Sequence, residues 1–195
     1  MEDEKQLTEK ESLELIASMI NKAKNSCIDS GIGPLFWGVL IALCSIITWA
    51  QHVFEFRLGF DIWLLSLFAL APQIYFTARA RKEKNFVSYD ENMMNYVWGT
   101  FAICMFMLSF YVAKSHPQNS TALHMMLFGM PTFITGGVRK FVPMMIGGLI
   151  CWVCSITSYY VDFANDMLLM TVSAVSAWLI PGIILRRRYL KLKNV

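Results

Sequence analysis

The stretch Gly129-Met130-Pro131-Thr132-Phe133-Ile134-Thr135-Gly136-Gly137 gathers the residue types best able to act on a polar solute within an otherwise apolar chain. Pro131 has no amide hydrogen and its ring clashes with the preceding turn, so a helix through it deprives the carbonyl of Leu127 of its usual partner. Free carbonyls, hydroxyls and glycine-exposed backbone at membrane depth can coordinate a cation or a polar solute. The expected candidate ligand or gating site is therefore Gly129, Pro131, Thr132, Thr135 and Gly136. The competing reading is a packed kink, in which Gly and Thr permit close helix contact and neighbours satisfy the freed carbonyl.

Sulfur offers two further chemistries. Cys151-Trp152-Val153-Cys154 is a CxxC whose sulfurs would share one helical face, as a redox dithiol requires. An apolar setting suppresses thiolate formation, and no outer-loop cysteine pair is available to pass electrons onward. The 13 methionines, with Cys44, Cys104 and Cys151 at similar depth, would suit Cu(I). Met and Cys also fill irregular apolar packing, and no Met-rich outer segment captures a metal. Serine, cysteine and phosphate-binding catalytic motifs are absent, so no catalytic, cofactor-binding or metal-ligating residues are expected. The chain also has no Asp, Glu, Lys or Arg deep in an apolar stretch, which disfavours proton-coupled transport and intramembrane proteolysis. His52, Asp61 and His124 fall near the outer boundary and read as interfacial.

The elements that must position these residues are six apolar stretches, at roughly 34–54, 60–78, 93–113, 122–138, 141–161 and 167–185. Each is near the ~20 residues that cross ~30 Å of hydrocarbon. The fourth is the least secure, because its Gly, Pro and Thr make it short and breakable. With 56% hydrophobic residues and mean hydropathy +0.47, the chain is too apolar for an ordinary soluble domain. Of its 17 lysines and arginines, all but Arg57 and Lys114 fall on one side when the connections are numbered in order. Arg79, Arg81, Lys82 and Lys84, then Arg139 and Lys140, then Arg186, Arg187, Arg188, Lys191 and Lys193 join the lysines of the amino-terminal arm. Cytoplasmic loops are enriched in Lys and Arg, so both termini are expected in the cytoplasm. The opposite face carries Glu55, Asp61, Asp162 and Asp166. The basic rim should attract anionic lipid headgroups, and orientation explains these charges without nucleic acid. Residues 1–30 contain no continuous apolar core, so a cleavable signal peptide is not expected.

Residues 8–26 read as an amphipathic helix. Thr8 with Glu11 fits a capping box, and Leu13, Ile16, Ile20 and Cys27 recur on one face. A membrane-surface helix would be basic along its polar face, whereas this one begins acidic. That favours packing beneath the bundle or against a protein partner. The alternative is a leader that orients the first span. Phe36-Trp37-Gly38, Val97-Trp98-Gly99 and Ile146-Gly147-Gly148 recur in the odd spans and Pro72, Pro131 and Pro181 in the even ones. This recurrence is consistent with repeated hairpins or with chance. Gly38, Ala42, Ser173 and Ala177 permit close contact within or between subunits.

Two blocks resemble a family of small, uncharacterised integral membrane proteins of Bacteroidota. One is Leu7-Thr8-Glu9-Lys10-Glu11-Ser12-Leu13-Glu14-Leu15-Ile16 with Met19-Ile20 and Pro34-Leu35-Phe36-Trp37-Gly38. The other is Gly129-Met130-Pro131-Thr132-Phe133-Ile134-Thr135-Gly136 running into Phe141-Val142-Pro143-Met144-Met145-Ile146-Gly147-Gly148. The resemblance implies a multi-span bacterial inner-membrane protein, assigns no activity or catalytic residue, and weakly suggests a regulatory role.

The expectation is an all-α membrane protein: six transmembrane helices as three hairpins, preceded by a cytoplasmic amphipathic helix. Its parts are an arm (1–33), the bundle (34–186) and a basic tail (187–195). The expected function is a non-enzymatic regulatory or partner-binding module. Its partners would be the lipid bilayer, a cytoplasmic protein docked on Leu13, Ile16, Ile20 and Cys27, and a second copy of the chain. The alternatives are a transporter or channel using the fourth span and, more remotely, a membrane thiol oxidoreductase.

Overall fold

A computed structural model describes residues 31–56, 58–82, 89–115 and 120–193, together with Leu13. Among these there is no strand. Helix α1 spans Ile32–Val53, α2 Leu64–Lys82, α3 Tyr89–Ser115, α4 Ser120–Val138 and α5 Val142–Ser158. The last rod begins as α6 (Phe163–Ala174), passes through a π-helical turn (Val175–Leu179) and continues as α7 (Ile180–Lys193). Six helical rods therefore stand where six apolar stretches were expected. Three of them, Ile32–Val53, Asn92–Ser115 and Phe163–Lys191, are long and apolar enough to cross a membrane. At 17 residues α5 is apolar but shorter, rising ~26 Å at the α-helical ~1.5 Å per residue. Thr, Gly and His dilute the hydropathy of α4.

The helix boundaries follow from local chemistry. Gly31 precedes α1 at φ 70°, a conformation that disfavours a side chain. A Cβ there would also meet the Arg186 nitrogen and the Gly182 carbonyl at 2.8 Å. Pro34 sits in the first turn of α1 and Pro143 in that of α5, where a missing N–H costs no intrahelical bond. The α4–α5 turn closes through Phe141 N–H donating to the Gly136 carbonyl (2.8 Å), with Lys140 at φ 50°.

Close helix contact depends on small residues. The tightest pair is α4 with α5, and its contacts run antiparallel. The Ser155 hydroxyl donates to the Ala122 carbonyl (2.8 Å) and Trp152 Nε1 to that of Met126 (3.2 Å). A Cβ on Gly148 would lie 2.9 Å from Phe133 Cβ, and one on Gly136 2.7 Å from Met145 N. The α6–α7 rod lies antiparallel to α1 and α5: Leu179 meets Gly38, Gly182 meets Leu35, and Ala177 meets Gly147. It runs parallel to α4, pairing Ser173 with Met125 and Trp178 with Thr132. Thus α1 and α5 point one way, α4 and α6–α7 the other. Gly38, Ala42, Ser173 and Ala177 are all buried within the chain. The apolar core between these rods includes Ile41, Met125, Cys154 and Met170. Outside this four-rod core, α3 packs on α4 and α2 lies lightly against α1. The closest pairing therefore crosses the Arg139–Phe141 turn. The α1–α2 contact is slight.

Candidate functional site

The residues named from the α4 sequence do come together, as an interface. Gly129, Pro131, Thr132, Thr135 and Gly136 are all buried. Yet α4 continues as one helix from Ser120 to Val138, with Pro131 inside it. The two hydroxyls are committed to backbone carbonyls one turn earlier: Thr132 Oγ1 to Phe128 (2.8 Å) and Thr135 Oγ1 to Pro131 (2.6 Å). Gly129 faces the Trp152 ring, and Gly136 faces Met144 and Met145. Gly and Thr here permit close helix contact, as in the packed reading of this stretch.

The polar group of this face reaches Trp178, which the sequence did not single out. Trp178 Nε1 donates to Thr132 Oγ1 at 2.9 Å, extending a chain that ends on the Phe128 carbonyl. A buried tryptophan needs such a partner for its N–H. Its ring lies 5.0 Å from Phe128, 5.8 Å from Trp98 and 6.3 Å from Trp37, each near perpendicular or steeply inclined. Edge-to-face pairs of this kind contribute about 0.5–1.5 kcal/mol each beyond area burial. Phe101 adds a second contact from α3 to Phe128 at 5.4 Å. Trp178 thus ties α1, α3 and α4 to the last rod.

The π turn is what presents it. Pro181 has no N–H, and its ring would crowd the carbonyl of Ala177 in a regular α-helix. The chain answers with a wider turn, closed by the Ile180 N–H donating to the Val175 carbonyl. Such bulges are often found at functional sites. The motifs that recur in α1, α3 and α5 meet at this same turn. Gly38 and Gly147 pack against it, Trp37 and Trp98 contact Trp178, whereas Gly99 faces open space. Beside the turn lies a cavity of about 10 Å³, lined by Ile41, Met125, Cys151, Ser173 and Ala174 among others. That is room for about one water molecule. Among the described residues, no buried side-chain nitrogen or oxygen lacks a hydrogen-bond partner.

The sulfurs are dispersed. Cys44 Sγ points to the Ile62 carbonyl (3.8 Å) and Cys151 Sγ to that of Ser173 (3.7 Å). Cys151 and Cys154 are both buried and unlinked. At the other end of the rods, Asp166 is buried and accepts a hydrogen bond from the Ser158 hydroxyl. The carboxylate expected on the acidic outer side is thus also an inter-helix contact. Of the proposed docking face on the arm, Leu13 is helical and exposed; Ile16, Ile20 and Cys27 lie outside the described residues.

These features define an all-helical protein with three helices able to cross a membrane, built around a buried tryptophan. No protein-family model, curated protein or solved structure matches the chain.

Proposed function

We propose that the chain is a six-span protein of the bacterial cytoplasmic membrane with both termini cytoplasmic. It acts without catalysis, as a regulatory or partner-binding module working through residues 1–33. The filled interior is the observation that carries this reading. A transport route through α4 requires polar groups facing an accessible space. Here Thr132 and Thr135 are buried with their hydroxyls bonded, and the cavity beside Trp178 holds about 10 Å³. Close packing of these described residues favours the protein's surfaces as its working parts.

Sidedness draws support from the rods. Gly31, the Arg139–Phe141 turn and Arg186–Arg188 meet at one end, where Gly31 abuts Arg186 and the Arg188 guanidinium lies over Phe141. The other end holds Asp162 and Asp166. Since α1 ends and α4 begins there, two further crossings by α2 and α3 would bring the chain back to that end.

The test is deletion of residues 1–28. Loss of protein partners or of the cellular phenotype, with the bundle still inserted, is the expected result. An unchanged partner set and phenotype would refute the arm's role. Solute or ion flux in liposomes that disappears in a Pro131→Ala, Thr132→Val, Thr135→Val variant would favour transport instead.

A further inference from the structure

We propose that the α4–α5 turn and the start of the tail together form a docking site for the phosphate headgroup of an anionic phospholipid in the cytoplasmic leaflet. The inference rests on the membrane placement proposed above and adds a defined ligand site to it. Its centre is Phe141, buried against Met144 and Leu185. The Arg188 guanidinium lies over the Phe141 ring, its carbon 5.2 Å from the centroid. One residue before Phe141 is exposed Lys140, so the turn that carries the ring under Arg188 also carries a cation of its own.

Lys140 carries a second, independent signal. Its φ of 50° is the left-handed conformation that helix ends usually assign to glycine, and the Phe141 N–H to Gly136 carbonyl bond holds it there. A charged side chain kept where glycine would be easier is the kind of local strain found at binding sites. Arg187 and Lys191 add exposed cations, and residues 138–145 and 180–193 contain no Asp or Glu.

The neighbouring surface selects a lipid over a soluble phosphate. Exposed Val138 and Val142 border the turn, and exposed Ile183 lies one helical turn before Arg187. Cations above an exposed aliphatic strip match an anionic headgroup above acyl chains. Arg188 is exposed as well as placed over Phe141, so its guanidinium N–H groups remain open to phosphate oxygens.

The experiment titrates dioleoylphosphatidylglycerol into detergent-solubilised protein and counts bound lipid by native mass spectrometry. Phosphatidylcholine is the reference lipid and glycerol 3-phosphate a soluble competitor. Lys140→Gly and Arg188→Gln should each weaken phosphatidylglycerol binding about fivefold, and together about 25-fold, at ~1 kcal/mol per cation. Lys140→Gly also relieves the backbone, so it should melt at or above the wild-type temperature. Unchanged phosphatidylglycerol affinity in both variants would overturn the site. Displacement by glycerol 3-phosphate at equal concentration would overturn its assignment to lipid. Failure of the wild-type protein to insert into phosphatidylcholine nanodiscs would instead overturn the membrane placement itself.

Discussion

Replacing Gly147 by alanine introduces a methyl group into the contact between α5 and the π turn. The new Cβ would lie 2.5 Å from Ala177 Cα and 2.5 Å from the Ser176 carbonyl oxygen, against ordinary contacts of 3.4–4 Å. Both atoms are backbone, so no side chain can rotate away. The rods must separate by roughly 1 Å, which loosens the close packing on which dispersion attraction depends. It would also disturb Cys151 on Ser173 and the seating of Trp178. Overpacking of this kind costs about 1–3 kcal/mol. In a protein of this size that lowers the melting temperature by ~2–12 °C. Gly137→Ala is the matched control, because its Cβ meets nothing within 4 Å. It should leave stability within about 0.5 kcal/mol. Thermal unfolding of detergent-purified protein, followed by tryptophan fluorescence, reads both. A Gly147→Ala protein melting with the wild type, or a Gly137→Ala protein losing as much, would refute the packing assigned to the π turn.

Four further outcomes are expected. Thr132→Val leaves the Trp178 N–H without its acceptor and should cost about 1–3 kcal/mol, whereas Thr132→Ser should retain most of the stability; the melt compares them. Trp178→Phe on the Thr132→Val background should cost less than the sum of the single changes, and strict additivity in a double-mutant cycle would break the proposed coupling. Ser158→Ala removes a donor to buried Asp166 and should destabilise by about 1.5–3 kcal/mol at pH 7; an unshifted melt would mean the pair contributes nothing. In a cysteine-free background, Lys84→Cys and Arg139→Cys should be labelled from the cytoplasmic side and Asp162→Cys from the other. Labelling of the first two from opposite compartments would refute the threading.

The helices were legible because length and apolarity are local properties. The stretch read at 122–138 is a helix from Ser120, and that read at 34–54 a helix from Ile32. The last helix runs past residue 185 to Lys193, because hydropathy marks where lipid ends and not where hydrogen bonding stops. Pro131 and Pro181 show what periodicity cannot resolve. Both lie in helices, yet only Pro181 directly follows a π turn, and α4 around Pro131 stays α-helical. Partner choice was equally hidden: Gly38, Gly99 and Gly147 look alike in sequence, but a Cβ on Gly99 would meet nothing within 4 Å. Asp166 shows the same limit for charge: the sequence placed it on the acidic outer side, but not in the buried contact that it makes with Ser158 on α5.

The convergence on Trp178 links packing to the proposed role. Trp98 and Phe101 supply ring contacts from α3 to the core, so α3 should respond to any shift of the π turn. Down the same rod, α7 carries Arg188 onto Phe141 beside Lys140. A change in headgroup contact at the basic end would act on a helix whose other neighbours meet at Trp178. The two features therefore belong to one rigid element, and a lipid-dependent change in tryptophan fluorescence that vanishes in Arg188→Gln would measure their coupling. Wild-type fluorescence identical in phosphatidylglycerol and phosphatidylcholine nanodiscs would separate them.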